Sequence, residues 1–174
     1  MLRSLVGSEM CIRDRTDTIE GDANGDGDRD ANDDEFVEFV NSSANSLDIS
    51  GYKLYDSDRL AANTPNHEFP TNTVLSPGQA AVVFGGGTPT GNFGGSLVFA
   101  ASGQVLNLNN SGDVLTVKNS NDSTIFIFDI TPLSNNPNES YTRSPDLSGD
   151  FVQHTGLNPG VLFSPGTKSD GTNF

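Results

Sequence analysis

The chain of 174 residues has no tryptophan, one cysteine and two histidines. The single cysteine, Cys11, excludes an internal disulfide framework, because such a framework needs cysteines in pairs. No apolar run approaches the roughly 18 residues that a membrane-spanning helix requires, so we predict no membrane span. Lysine and arginine number 9 against 23 acidic residues, and the net charge is −14. We therefore expect no nucleic-acid partner, since basic side chains are what neutralise phosphates.

Glycine and proline are abundant, at 19 and 9 residues, and the hydrophobic content is only 33%. This composition is typical of short strands joined by polar turns. Short apolar segments recur at a spacing of about ten residues, as in β-sandwiches. We predict an all-β fold, an immunoglobulin-like β-sandwich with little helix.

The predicted strands lie between turns rich in Gly, Pro, Asn and Ser. They cover 35–41, 47–56 with a bend at Gly51, 67–70, 73–75, 79–84, 96–101, 104–109, 113–119, 123–130, 140–143, 151–154 and 161–163. Residues 57–67 and the glycine-rich stretch 85–95 are predicted to be surface loops. The segment 79–84 is apolar at every position after the first, which indicates a strand buried on both faces.

Residues 20–38 hold nine carboxylates and one basic residue, Arg29. A charge run is usually a solvated face, but the spacing here matches a calcium-binding loop. Oxygen-bearing side chains fall at loop positions 1, 3, 5, 7 and 9, and Gly27 stands at position 6, where such loops turn sharply. We therefore predict a Ca²⁺ site whose ligands are Asp22, Asn24, Asp26, Asp28, Asp30 and Asp33.

The last position of such a loop usually carries a glutamate that binds through both oxygens. Here Asp33 stands there, a departure that resembles the calcium loops of dockerin modules, and Asp34 or Glu35 could replace it in a longer loop. The helices that flank an EF-hand are missing, because the sequence after the loop is strand-like. We therefore expect a structural ion without a switching role.

Residues 1–15, MLRSLVGSEMCIRDR, contain three of the nine basic residues, both methionines and the only cysteine. The segment resembles a translated sequencing-adapter string, and we interpret it as foreign to the gene; an ordinary N-terminal helix is the alternative. On this interpretation the lack of a signal peptide says nothing about location.

Six segments, in order, carry a family resemblance: EFVEFVN, LDISGYKLYD, HEFP, TVLSPGQAAVVFGG, LNLNNSGDVLTVKNSNDSTIFIFDI and SPGT. Together they resemble the bacterial form of the lamin-tail domain over roughly residues 22–168. The resemblance implies an immunoglobulin-like sandwich in a protein that is secreted or attached to the cell surface. Members usually begin with a strand ahead of the loop, where this chain has the foreign segment. We therefore expect the first edge strand to be missing, which would leave a sheet edge open.

These observations divide the chain into four parts. They are the foreign segment 1–15, an acidic calcium-binding loop at 16–34, a lamin-tail-like sandwich at 35–168 and a C-terminal tail or linker at 169–174.

The sequence offers no catalytic set. His67 and His154 lack the spacing of a triad or a metal site, and no G-x-S-x-G motif occurs. The glycines at 85–87 lack the lysine of a phosphate-binding loop. Glu38, on the same strand face as Phe36 and Val40, is expected to be partly buried and hydrogen-bonded to a turn. We predict that the protein is not an enzyme.

The sequence thus favours a non-catalytic extracellular interaction or scaffold module of a larger secreted or surface protein, stabilised by structural calcium. One alternative is a carbohydrate-binding module that uses the glycine-rich loop or an open sandwich face, although the lack of tryptophan weakens sugar stacking. Another is an accessory domain fused to a secreted hydrolase or nuclease. The partner, a protein, a cell surface or a glycan, stays open.

Overall fold

A computed structural model of the chain describes residues 5–11, 21–109, 111–133 and 138–174. The first residues of the predicted acidic segment, 16–20, lie outside the described residues, as does part of the segment interpreted as foreign. Strands dominate the described structure, and its helix is limited to one six-residue α-helix and short 3-10 turns. The predicted all-β sandwich with little helix is confirmed.

The elements of the described residues are short, as the frequent turn residues predict. In chain order they are β1 (Leu5–Cys11), β2 (Phe36–Asn41), β3 (Leu47–Asp48), β4 (Lys53–Tyr55), α1 (Ser57–Ala62), β5 (His67–Glu68), β6 (Val74–Leu75), β7 (Ala80–Phe84), β8 (Leu97–Ala100), β9 (Val114–Lys118), β10 (Thr124–Asp129), β11 (Tyr141–Ser144) and β12 (Asp150–Gln153).

The strands form one large sheet, one smaller sheet and a two-stranded ribbon. The large sheet has six strands in the order β12-β11-β1-β2-β7-β8, and all its pairs are antiparallel except β7 with β8. The smaller sheet has four strands in the order β10-β9-β4-β5, and β3 pairs with β6.

Alternation along β2 divides the apolar side chains between two clusters, because successive strand residues point to opposite faces. Val37 and Phe39 enter the main core, which also contains Leu54 and Val117 from the smaller sheet. Phe36 faces the other way, into a second cluster on the outer face of the large sheet. Burying a large apolar side chain stabilises the fold by about 1.5–3 kcal/mol. All five residues of β7 are buried, as predicted.

Several predicted elements differ from the structure. Helix α1 replaces the predicted loop, because Asp56 caps its first turn by accepting the Arg59 backbone N–H at 2.6 Å. The predicted strand at 104–109 is absent from the described sheets, since positive φ angles at Gln104 and Asn107 interrupt an extended chain. The predicted strand at 161–163 is likewise not among the described strands. Gly51, with φ of 71°, does make the predicted bend, which separates β3 from β4.

The prediction that a missing first edge strand leaves a sheet edge open is wrong, because residues 5–11 form a strand at this position. Strand β1 pairs antiparallel with β2 on one side and β11 on the other, so this position is internal to the sheet. The segment fits because Met10 reaches the core and Gly7 leaves room for the Phe126 ring, which a Cβ would meet at 3.1 Å. Strand geometry carries no information on origin, and the foreign origin of residues 1–15 stays a hypothesis.

Two further features concern the ends of the described structure and its helices. In the segment 169–174, predicted as a tail or linker, the Ser169 carbonyl accepts a hydrogen bond from the Asn158 side chain at 3.1 Å, and residues 170–173 are exposed. None of the helices in the described ranges is long and apolar enough to cross a bilayer.

Candidate metal-binding loop and the buried carboxyl groups

The acidic loop packs against the glycine-rich segment that follows β7. The Gly85 N–H donates to the Glu35 carbonyl at 2.7 Å, and the Thr90 N–H donates to the Asn24 carbonyl at 2.8 Å. These bonds connect the beginning and the end of the acidic loop to the same neighbouring segment.

The first glycines of that segment permit this close packing. A Cβ on Gly85 would lie 1.9 Å from the Asn32 carbonyl oxygen, and one on Gly86 would lie 2.1 Å from Asp33 Oδ1. The sequence predicted a surface loop here, and the structure gives its first residues a packing role against the acidic loop. Carbohydrate binding by this segment stays a prediction.

Asp22 holds the first half of the acidic loop in a tight turn. Its Oδ1 accepts the Gly25 N–H at 2.7 Å and its Oδ2 accepts the Gly27 N–H at 2.8 Å. Both glycines have positive φ, 71° and 93°, a conformation that side chains with a Cβ rarely adopt.

The next two predicted ligands repeat this pattern at two-residue intervals. Asn24 Oδ1 accepts the Asp26 N–H at 2.9 Å, and Asp26 Oδ1 accepts the Asp28 N–H at 3.0 Å. Asp26 Oδ2 also accepts the Thr88 N–H at 3.0 Å. The hydrogen bonds from Thr88 and Asp28 hold the pKa of Asp26 below its usual range, because they stabilise the ionised form. The Asp28 side chain is exposed.

The second half of the loop places several carboxylates near Asp33. Asp30 is exposed, and its Oδ1 accepts the Asn32 N–H at 2.8 Å and the Asp33 N–H at 3.2 Å. Partial burial raises the pKa of Asp33, and the negative charges of Asp30, Asp26 and Asp34 raise it further. Asp33 is therefore the predicted ligand around which negative charge accumulates.

Asp34 ties the two halves of the loop together. It is fully buried, and its Oδ1 accepts the backbone N–H groups of Ala23 and Asn24 at 2.8 and 3.1 Å. Its Oδ2 accepts the Asp30 N–H at 2.9 Å and lies 3.4 Å from Arg29 Nη1. The sequence left Asp34 as an alternative ligand to Asp33, because spacing alone does not show that the Asp34 side chain faces inward.

Glu35 also points into the protein. Its Oε2 accepts the Leu108 N–H at 3.1 Å, and burial raises its pKa to about 8. Of the three candidates for the last ligand, Asp34 and Glu35 therefore accept interior hydrogen bonds, whereas Asp33 stays beside the other loop carboxylates.

The six predicted ligands share one loop but do not converge on one point. Within the described residues, no group of three or more His, Cys, Asp or Glu side chains is arranged to hold a metal ion. The donor chemistry nevertheless fits calcium, because each predicted ligand presents an oxygen. A carboxylate that accepts one or two N–H groups also keeps unused lone pairs. Calcium binding would require these side chains to rotate inward together.

A second group of carboxylates lies inside the large sheet, where Glu9 of β1 stands opposite Glu38 of β2. Both side chains are buried, with 2% and 1% of their surface exposed. Glu38 Oε1 accepts the Ser8 hydroxyl, and its Oε2 accepts the Gly166 N–H at 2.5 Å. The expected hydrogen bond between Glu38 and a turn is confirmed, with the Gly166 N–H as donor, although the side chain is fully rather than partly buried.

Glu9 binds the C-terminal part of the chain through both oxygens. Its Oε1 accepts the Ser164 N–H at 2.9 Å and the Ser140 hydroxyl at 2.5 Å, and its Oε2 accepts the Ser164 hydroxyl at 2.7 Å. Burial raises the pKa of Glu9, and burial together with the charge of Glu9 raises the pKa of Glu38. Sequence reasoning missed Glu9, because it set aside the segment that contains it.

The two histidines have structural surroundings. His67 Nδ1 accepts the Ser102 N–H at 3.2 Å, its ring packs edge-on against Phe69, and burial lowers its pKa to about 4. His154 Nε2 lies 2.9 Å from the Ser164 hydroxyl and its Nδ1 lies 3.0 Å from the Val161 carbonyl. Ser164 lies between Glu9 and His154, whereas in a catalytic triad the histidine lies between the acid and the serine.

The fold is an immunoglobulin-like β-sandwich with an acidic loop ahead of its second strand. The family model for the Lamin Tail Domain matches residues 19–131. The chain therefore belongs to the lamin tail domain family, whose domains are immunoglobulin-like. Strand β1 and the strands after β10 lie outside the matched residues. A search of curated proteins gave no match to the chain.

Proposed function

We propose that the chain is a non-catalytic interaction or scaffold module of a larger secreted or cell-surface protein, and that structural calcium stabilises its acidic loop. The observation that supports the calcium proposal is that six oxygen-bearing side chains belong to one tightly turned loop that leads directly into β2.

The clustered negative charges of the acidic loop favour binding of a divalent cation. Asp33 lies close enough to Asp30, Asp26 and Asp34 for their charges to raise its pKa. A calcium ion would replace this repulsion by attraction and would accept oxygens that face solvent. We assign the last ligand to Asp33, because Asp34 and Glu35 already accept interior hydrogen bonds.

The proposed extracellular location is consistent with the calcium chemistry proposed for the loop. Calcium sites of extracellular modules operate at about 10⁻⁴–10⁻³ M, a range suited to a loop whose side chains must rotate to bind. A non-catalytic role is supported by the surroundings of His67 and His154, which are both buried and bonded to protein groups.

Thermal melting of the full chain with increasing calcium tests the metal part. If calcium binds only the folded state, a hundredfold excess over Kd stabilises it by about 2.7 kcal/mol, and the melting temperature rises. Asp33→Asn should reduce the rise, whereas the matched control Asp170→Asn, in the exposed C-terminal turn, should keep it. An unchanged melting temperature in excess calcium would contradict the proposal.

The location is tested by recovering the full-length reading frame. We expect an export signal upstream and further domains in the same protein. A frame that begins without any export signal would argue against an extracellular module, whatever the calcium result.

A further inference from the structure

The C-terminal segment 160–168 covers the outer face of the large sheet. Phe163 packs against the cluster that contains Phe36, Val82 and Phe84. The carbonyl of Gly166 accepts the Ser96 hydroxyl at 3.3 Å, next to β8. Removing this segment would expose the apolar side chains beneath it.

Two buried carboxyl groups hold this segment to the middle of the sheet. The Ser164 N–H donates to Glu9 at 2.9 Å, and the Gly166 N–H donates to Glu38 at 2.5 Å. The segment is therefore bonded to adjacent strands, β1 and β2, through residues that stand directly opposite each other.

The Glu9–Glu38 pair is unfavourable when both carboxyl groups are ionised. Directly opposite side chains in antiparallel strands lie about 5 Å apart at Cβ, and like charges at that position destabilise the sheet. Two buried carboxyl groups that share a site lose their protons in separate steps, since the first charge opposes the second. Burial raises the pKa of both, so the folded state retains a proton more tightly than the unfolded chain.

The surroundings add little positive charge. The titratable and charged groups on the elements around the pair are Tyr141, Arg143, Asp146, His154 and Lys168. The charge of His154 favours ionisation of Glu9, whereas Asp146 opposes ionisation of Glu38.

The remaining groups on neighbouring strands are occupied elsewhere or carry no charge. The hydroxyl of Tyr141 donates to the Leu133 carbonyl, and the guanidinium of Arg143 donates to the carbonyls of Gly7 and Gly149 at 2.6 Å each. On β7 the register partner of Glu38 is Val82.

We propose that Glu9 and Glu38 share one proton at neutral pH, and that loss of this proton in alkaline solution releases the C-terminal segment 160–168 from the sheet. The proton passes to solvent, and only hydrogen bonds break within the chain. Release lets water reach both carboxylates, because this segment donates hydrogen bonds to both and covers the adjacent sheet face. It also exposes the cluster of Phe36 and Phe84, so the device would present an apolar surface only above neutral pH.

Amide hydrogen exchange between about pH 6 and pH 9 tests this proposal. Opening that releases one proton becomes about tenfold more favourable per pH unit, beyond the intrinsic acceleration of exchange. We expect this extra loss of protection at Ser164 and Gly166 while the amides of β7 remain protected. Equal loss in β7 would indicate global unfolding and overturn the proposal, as would pH-independent protection at Ser164 and Gly166.

Two amide variants assign the effect to the pair. Glu38→Gln and Glu9→Gln each keep the side-chain shape and remove one of the two carboxyl groups. The remaining one no longer faces a like charge, so the extra pH dependence should be smaller in either variant. The exposed Glu68→Gln is the matched control and should behave as the unmodified chain. An undiminished dependence in a folded Glu38→Gln or Glu9→Gln variant would overturn the proposal. The comparison with β7 in the unmodified chain decides the matter if neither variant folds.

Discussion

The acidic loop and the buried pair place the same chemical group in opposite surroundings. In the loop, Asp26 accepts backbone N–H groups near solvent, and its pKa falls. Inside the sheet, Glu9 and Glu38 also accept hydrogen bonds, but burial dominates and their pKa values rise. Hydrogen bonds alone therefore do not decide the charge of a carboxyl group here; access to water does.

The difference suggests two ways of relieving the repulsion between like charges. The loop is open to solvent, and we propose that a divalent cation neutralises it. The pair in the sheet has no such access, and we propose that a proton does the same. Asp34 lies between these cases, because it belongs to the loop sequence but is fully buried.

Asp34→Ala should give the largest loss of stability. It leaves the buried N–H groups of Ala23 and Asn24 without their acceptor and removes one of the interactions of Arg29. Losses of this kind cost about 3–5 kcal/mol. Chemical denaturation at neutral pH with a calcium chelator present measures it, with exposed Asp28→Ala as the control, which should stay within about 0.5 kcal/mol. Similar small effects at both positions would erase the distinction between them.

Gly85→Ala should disrupt the packing of the acidic loop against the segment that follows β7. The added Cβ would lie 1.9 Å from the Asn32 carbonyl oxygen, so the backbone of one segment must move. We expect a loss of about 3 kcal/mol. Gly156→Ala is the matched control, since a Cβ there meets nothing within 4 Å. Equal stability of the two variants would show that the loop does not depend on this contact.

His67→Phe extends the comparison to a buried base. Burial lowers the pKa of a base, whereas it raises the pKa of an acid. The folded pKa of His67 is lowered from 6.5 to about 4, so its contribution to stability is present above pH 6.5 and is lost as the pH falls towards 4. Relative to the variant, the unmodified chain should lose about 2 kcal/mol more between pH 7 and pH 4.5. Denaturation at both pH values measures this difference, and identical losses would contradict the assignment.

Asp33→Asn should give the smallest effect, with a sign that depends on calcium. Without calcium it relieves repulsion from Asp30, Asp26 and Asp34 and should stabilise the chain by a few tenths of a kcal/mol, because such exposed charges are screened. With calcium it removes a ligand and should destabilise the chain relative to the unmodified protein. Melting with calcium and with chelator checks this reversal, and the same sign in both would count against the proposed ligand.

Much of the sandwich could be predicted from local patterns. The alternation in β2, the apolar run of β7 and the bend at Gly51 each express a preference of a few neighbouring residues. Helix α1 was missed, although Asp56 is a typical N-cap residue, because six residues are too few to show helical periodicity.

The pairing of carboxyl groups could not be predicted in the same way. Glu9 and Glu38 are far apart in sequence, and only the register of β1 with β2 brings them together. In the loop, spacing identified residues such as Asp22, whose side chains accept hydrogen bonds from nearby backbone N–H groups. It could not show that Asp34 faces inward, because adjacent acidic residues look alike until packing distinguishes them.

Titration calorimetry of the full chain with calcium tests the central claim most directly. The proposed site predicts one calcium ion bound per chain, with binding lost when Asp26 and Asp33 are both replaced by Asn and retained in the Asp170→Asn control. Absence of binding at millimolar calcium, or binding that persists in the double variant, would contradict a calcium site in the acidic loop.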